Sequence, residues 1–127
     1  MPSGSIASLR AEHAVLGTLL ARLSAAGNQR AVLVDALDEF LPRLFQHETR
    51  EEGILKARLR GAVARALLAK TEGEHLTLRS LVRDIELVQA HPELYAVDHL
   101  SRLARRLVDA LGAHFSYEET VVFPAAG

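Results

Sequence analysis

The sequence predicts an all-α fold, an antiparallel up-down-up-down four-helix bundle forming one domain over residues 1–127. Three observations carry this expectation. Apolar residues recur in four stripes spaced by threes and fours, the breaks between stripes are short, and the two halves of the chain repeat one another. His47-Glu48-Thr49-Arg50-Glu51-Glu52 and His114-Phe115-Ser116-Tyr117-Glu118-Glu119 share the pattern His-x-x-x-Glu-Glu, and each runs into an apolar pair, Ile54-Leu55 and Val121-Val122. Upstream of each hexad stands a Glu-His pair, Glu12-His13 and Glu74-His75.

The stripes define the helices. Leu9, His13, Leu16, Leu20 and Leu23 step around a first helix of roughly residues 5–25, which Ser5 can cap and Gly27-Asn28 can end. Leu33, Leu37, Phe40, Leu44, His47, Glu51 and Ile54 mark a second over roughly 29–58, with Pro42 inside it to bend the axis and Gly61 beyond its end. Ala64, Leu68, Thr71, His75, Leu78, Val82 and Ile85 mark a third over roughly 62–89, closed by the His91-Pro92 turn. Leu100, Leu103, Leu107, Leu111, His114, Glu118 and Val121 mark a fourth, starting near Tyr95 or Val97 and expected to stop before Pro124. Breaks this short make sequential helices antiparallel neighbours.

Each stripe carries one histidine, and two carry a glutamate four residues later. A His/Glu pair at that spacing projects from one face about one turn apart, so both side chains can reach one ion or two adjacent ions. In the antiparallel topology the four histidines fall at heights that agree within ~8 Å, taking ~1.5 Å of rise per residue. A single histidine on an apolar stripe is most simply a hydrogen-bonded core residue. Four of them at one level, with two carboxylates that would be costly to bury alone, predict a metal site. The expected ligands are His13, His47, Glu51, His75, His114 and Glu118. Imidazole and carboxylate without thiolate suit iron, manganese or zinc, and carboxylates from two helices can each bridge a pair of ions. Six side chains do not saturate two six-coordinate ions, which leaves open positions for water, an oxo or hydroxo group, or a small exogenous ligand.

The His114-Phe115-Ser116-Tyr117-Glu118-Glu119 hexad running into Phe123-Pro124, with the flanking pattern over nearly all of residues 6–124, resembles the hemerythrin-like family of HHE cation-binding domains. The resemblance implies a four-helix bundle holding two non-haem iron ions with carboxylate bridges, and it implies ligand roles for the same six residues. Oxygen-carrying hemerythrins have a second histidine four residues away in the third helix and an aspartate five after the histidine of the fourth. Here the flanking positions are Thr71 and Arg79, and the fourth helix reads His-x-x-x-Glu, so the chain is more similar to four-histidine variants than to reversible oxygen carriers.

Composition bounds the rest. Hydrophobic residues make up 49% and charged residues 24%, an ordinary globular balance. A net charge of −1 gives no electrostatic basis for nucleic acid or an anionic membrane as partner. The absence of cysteine excludes disulfides, thiolate metal sites and cysteine nucleophiles. Met1-Pro2-Ser3-Gly4-Ser5 lacks a signal-peptide pattern and no segment reads as membrane-spanning, so a cytoplasmic location is expected.

Other polar residues have plainer readings. Glu52 and Glu119 lie ~140° round the helix from their histidines and are read as supporting or solvated. Glu12 and Glu74 are read as facing solvent or a neighbouring helix, where either could orient an imidazole. Glu48 could reach an ion from the stripe edge. Glu72 with His75 matches the Glu-x-x-His element of ferritin-like bundles once, which makes it a candidate seventh ligand. Tyr117 is read as packing and His91 as surface, while His99 lies ~22 Å along its helix from His114, too far to share the site.

Three function classes are open at this level. One is a di-iron protein that binds, senses or reduces dioxygen, peroxide or nitric oxide. Another is a di-iron oxidase or oxygenase acting on an organic substrate. The third is an interaction module stabilised by metal.

Overall fold

The computed structural model describes residues 5–127; the opening Met1-Pro2-Ser3-Gly4, part of the signal-peptide reading, lies outside the described residues. Four long helices form an antiparallel bundle, α1 (Ile6–Ala26), α2 (Arg30–Arg58), α3 (Ala62–Ala90) and α4 (Val97–Tyr117). Helix α1 packs on α2 and α4, and α3 packs on the same two, so the bundle is square in section. No helix among the described residues is long and apolar enough to cross a membrane.

Each start and stop has a local cause. The Ser5 hydroxyl accepts the Ser8 backbone N–H at 3.0 Å, capping α1. Gly27, at φ 55°, ends α1, and Gly61, at φ 91°, precedes α3; both backbones are ones that favour glycine. The Ser101 hydroxyl donates to the Gly27 carbonyl at 3.0 Å, fastening the start of α4 to the α1–α2 turn. Helix α2 continues through Pro42 without interruption.

The fourth stripe departs from the expected register. The helix does not stop before Pro124. It passes from α4 into a five-residue π-helical turn, Glu118–Val122, and then into a last short helix, α5 (Phe123–Ala126). The Phe123 N–H donates to the Glu118 carbonyl five residues back. An unbroken α-helix would press the Pro124 ring against the Thr120 carbonyl, and the wider turn falls just ahead of that point. The turn also rotates the residues beyond it about the helix axis. Val121, expected inside, is 41% exposed, whereas Val122 and Phe123 are buried. On α2 the buried residue after Glu51 is Leu55, with Ile54 only half-buried.

The core has two apolar parts. The larger gathers Leu16, Leu20, Leu23, Leu37, Phe40, Leu44, Leu78, Ile85, Leu107, Leu111 and their neighbours; the smaller is Leu9, Leu55, Leu59, Val122 and Phe123. Along all four helices the expected ligands fall between these two parts. Phe40 is fully buried and Phe45, five residues on, is 59% exposed. Phe40→Ala should therefore lower unfolding free energy by about 3–5 kcal/mol in chemical denaturation, and Phe45→Ala by less than about 1 kcal/mol.

Candidate metal centre

The six expected ligands converge. His13, His47, Glu51, His75, His114 and Glu118 are each 5% exposed or less. They form two overlapping groups, His13/His47/Glu51/Glu118 and Glu51/His75/His114/Glu118, and within each group one ligand atom from every residue lies within 4.8 Å of the others. Both glutamates belong to both groups. The imidazole Nε2 atoms face inward onto these carboxylates. His13 Nε2 lies 3.2 Å from Glu118, His47 Nε2 3.1 Å from Glu51, His75 Nε2 3.0 Å from Glu51, and His114 Nε2 3.2 Å from Glu118.

The outward nitrogens are as ordered as the inward ones. Every Nδ1 meets a different glutamate: His47 with Glu12 at 2.7 Å, His75 with Glu52 at 2.6 Å, His114 with Glu74 at 2.5 Å and His13 with Glu119 at 2.8 Å. An Nδ1–H donated to a carboxylate leaves Nε2 as a lone pair turned to the centre, the tautomer a cation needs. Each of these glutamates in turn meets a cation, Arg50 at Glu12, Arg79 at Glu52, Lys70 at Glu74 and Arg10 at Glu119. The centre is thus ringed by imidazoles, then carboxylates, then basic side chains. The doubled Glu-Glu and Glu-His pairs were the sequence signal for the carboxylate ring. Glu12 and Glu74 orient the imidazole of the neighbouring helix rather than of the histidine beside them.

Protonation reports how crowded the interior is. Burial alone would raise the Glu51 carboxyl, but the imidazoles of His13, His47 and His75 crowded against it outweigh burial and hold Glu51 well below the usual carboxylate range. Burial pushes Glu118 far up, and the adjacent Glu51 adds to the effect, so the two carboxyls do not both carry charge. For His75, burial opposes the charged form, yet Glu51, Glu48 and Glu52 lift it to about 9. His114 is lowered, chiefly by burial.

Several buried atoms lack a hydrogen-bond partner among the described residues: Nε2 of His13, His75 and His114, Oε1 of Glu51 and both oxygens of Glu118. Buried polar atoms are ordinarily paired, so this cluster of inward lone pairs fits cations bound between them. A nitrogen and oxygen donor set with two shared carboxylates can accommodate two ions.

A family model for the hemerythrin HHE cation binding domain matches residues 5–126. The chain belongs to this family. No curated protein and no solved structure matches it. In the third helix of this HHE domain Thr71 stands one turn before His75, fully buried.

The remaining candidates fall outside the two groups. Glu48 is buried, with its carboxyl raised by burial to about 7 against the pull of His75 and Arg79, and it belongs to neither group. Glu72 is half-buried and also belongs to neither. His91 pairs with Glu93, and the His99 ring stacks on Tyr95, both away from the centre. Tyr117 is half-buried beneath Lys70.

The two rings of carboxylates should differ in their effect on metal. Glu119→Gln and Glu52→Gln should weaken metal binding by about 10–100-fold in competition titrations, whereas Glu51→Ala and Glu118→Ala should remove it almost entirely. Metal must also displace protons from Glu118 and His75, both raised in the metal-free protein. Since fewer protons compete at higher pH, affinity should rise between about pH 6 and pH 8, with proton release measurable in weakly buffered solution.

Proposed function

We propose that this protein is a non-haem di-iron protein that binds, senses or reduces a small ligand, dioxygen, peroxide or nitric oxide, at a carboxylate-bridged centre. The observation that carries the reading is the sharing of Glu51 and Glu118 between two otherwise separate histidine pairs. In this reading His13 and His47 hold one ion, His75 and His114 the other, and the two glutamates span both. Iron would supply the change of oxidation state that such chemistry needs, and manganese or zinc would fit the same donors.

What the chain itself contributes is order and exclusion. The four Nδ1 contacts fix the imidazoles against rotation, so the ligand atoms are positioned before an ion arrives. The apolar groups above and below keep bulk water from the lone pairs, which strengthens every interaction within the layer. Exposure of 5% or less at all six residues favours a ligand of two or three atoms over a bulky organic substrate. Two surface clefts, of about 230 and 380 Å³, are lined by His47 with Glu12 and by His114 with Glu74. They bring solvent to the supporting carboxylates on opposite halves of the bundle.

Protein reconstituted with ferrous iron under anaerobic conditions should hold about two ions per chain, with only nitrogen and oxygen neighbours in X-ray absorption. A ceiling of one ion would overturn the dinuclear reading. The iron-loaded protein should melt at higher temperature than the metal-free form, because the ions bind only the folded state.

A further inference from the structure

The two halves of the centre are built alike but walled differently. Superposing the repeat in sequence pairs His13 with His75, and so pairs Leu9 with Thr71, each four residues earlier. The same repeat pairs Phe115, which comes after His114, with Glu48, which comes after His47. On the first side Leu9 is fully buried in the smaller apolar group. Phe115 stacks on the His13 ring at 4.2 Å between centroids, and Phe123 stands 5.2 Å from it. That ion position has apolar walls. On the second side the corresponding residue is a threonine, buried with 0% exposure.

The Thr71 hydroxyl behaves unlike every other threonine hydroxyl in the chain. Thr18, Thr49, Thr77 and Thr120 each donate to the backbone carbonyl four residues back, the usual refuge of a helical threonine. Those four are less enclosed and could have bonded water instead. Thr71 is shut off from bulk water, and yet its Oγ1 makes no hydrogen bond to the protein. An unpaired buried hydroxyl destabilises the fold, and it sits one turn from His75 on the inward stripe. It supplies one uncharged O–H donor one turn from His75 on the helix face that carries it.

We propose that Thr71 is the hydrogen-bond donor to a small anionic ligand at the His75/His114 side of the centre, so that exogenous ligands enter on that side and not beside His13 and His47. This inference rests on the metal-centre reading above. It makes Thr71 a specificity residue, favouring ligands whose free atom can accept a hydrogen bond.

Azide is a suitable probe because it is small, anionic and optically visible when bound to ferric iron. Wild type, Thr71→Val, Thr71→Ser and Leu9→Val are loaded with iron, assayed for metal and oxidised, and azide is titrated by absorbance. Thr71→Val should hold the same iron but bind azide about tenfold or more weakly, the loss expected for one hydrogen bond to a charged group. Thr71→Ser and Leu9→Val should stay within about threefold of wild type. In the metal-free protein Thr71→Val should raise the melting temperature, since it replaces an unpaired hydroxyl with a methyl of the same shape. Unchanged azide affinity in iron-replete Thr71→Val overturns the inference, as does an equal loss in Leu9→Val or a lowered melting temperature in metal-free Thr71→Val. Failure of wild type to take up two ions is a different result, seen before azide is added, and it removes the metal-centre reading and this inference together.

Discussion

The bundle depends on two carboxylates shared among four imidazoles at the middle of the molecule. Glu51 and Glu118 are fully buried, within reach of each other and of all four Nε2 atoms. Burial first, and the neighbouring Glu51 second, push the Glu118 carboxyl far up, so without a cation between them the two groups do not both carry charge. The polar layer also divides the apolar core into a larger and a smaller part, so neither is continuous across the bundle. Cohesion between the two ends of the molecule must then pass through this layer.

The supporting glutamates solve a second difficulty. An imidazole free to rotate can offer either nitrogen, and a centre built from four of them would have many arrangements. Four glutamates on the rim, each half-buried and each restrained by a basic side chain, reduce these to one. Rim residues with side chains 26–40% exposed sit where the interior meets solvent, which lets their charge be tolerated while their reach is still defined.

Most of this was legible in the chain. Steps of three and four locate a helix face without reference to neighbours, and Gly27 and Gly61 mark ends that favour glycine, so helix order and direction could be read directly. The six inward polar residues stood out because they lay on otherwise apolar stripes. The π-helical turn was not legible. Its cause is a clash between Pro124 and a carbonyl four residues earlier, and its effect, exchanging Val121 for Val122 as the buried residue, appears only when the helix is built. The partners of the imidazoles were legible only as alternatives, because a glutamate on the edge of a stripe faces solvent or a neighbour according to how close that neighbour comes. Thr71 fitted the third stripe as any small residue would, and its unpaired hydroxyl has no counterpart in spacing.

The crossing of supports between the halves has a consequence for biosynthesis. Glu119, beyond the end of α4, holds the ring of His13 in α1, while Glu52 of α2 holds His75 of α3. No hairpin therefore completes its own histidine pair. A ribosome that has released only α1 and α2 has made two imidazoles and one central carboxylate, with one imidazole still unsecured. The four supported imidazoles and both central carboxylates come together only once residues through Phe123 have emerged, so the first two helices pack with the centre still incomplete.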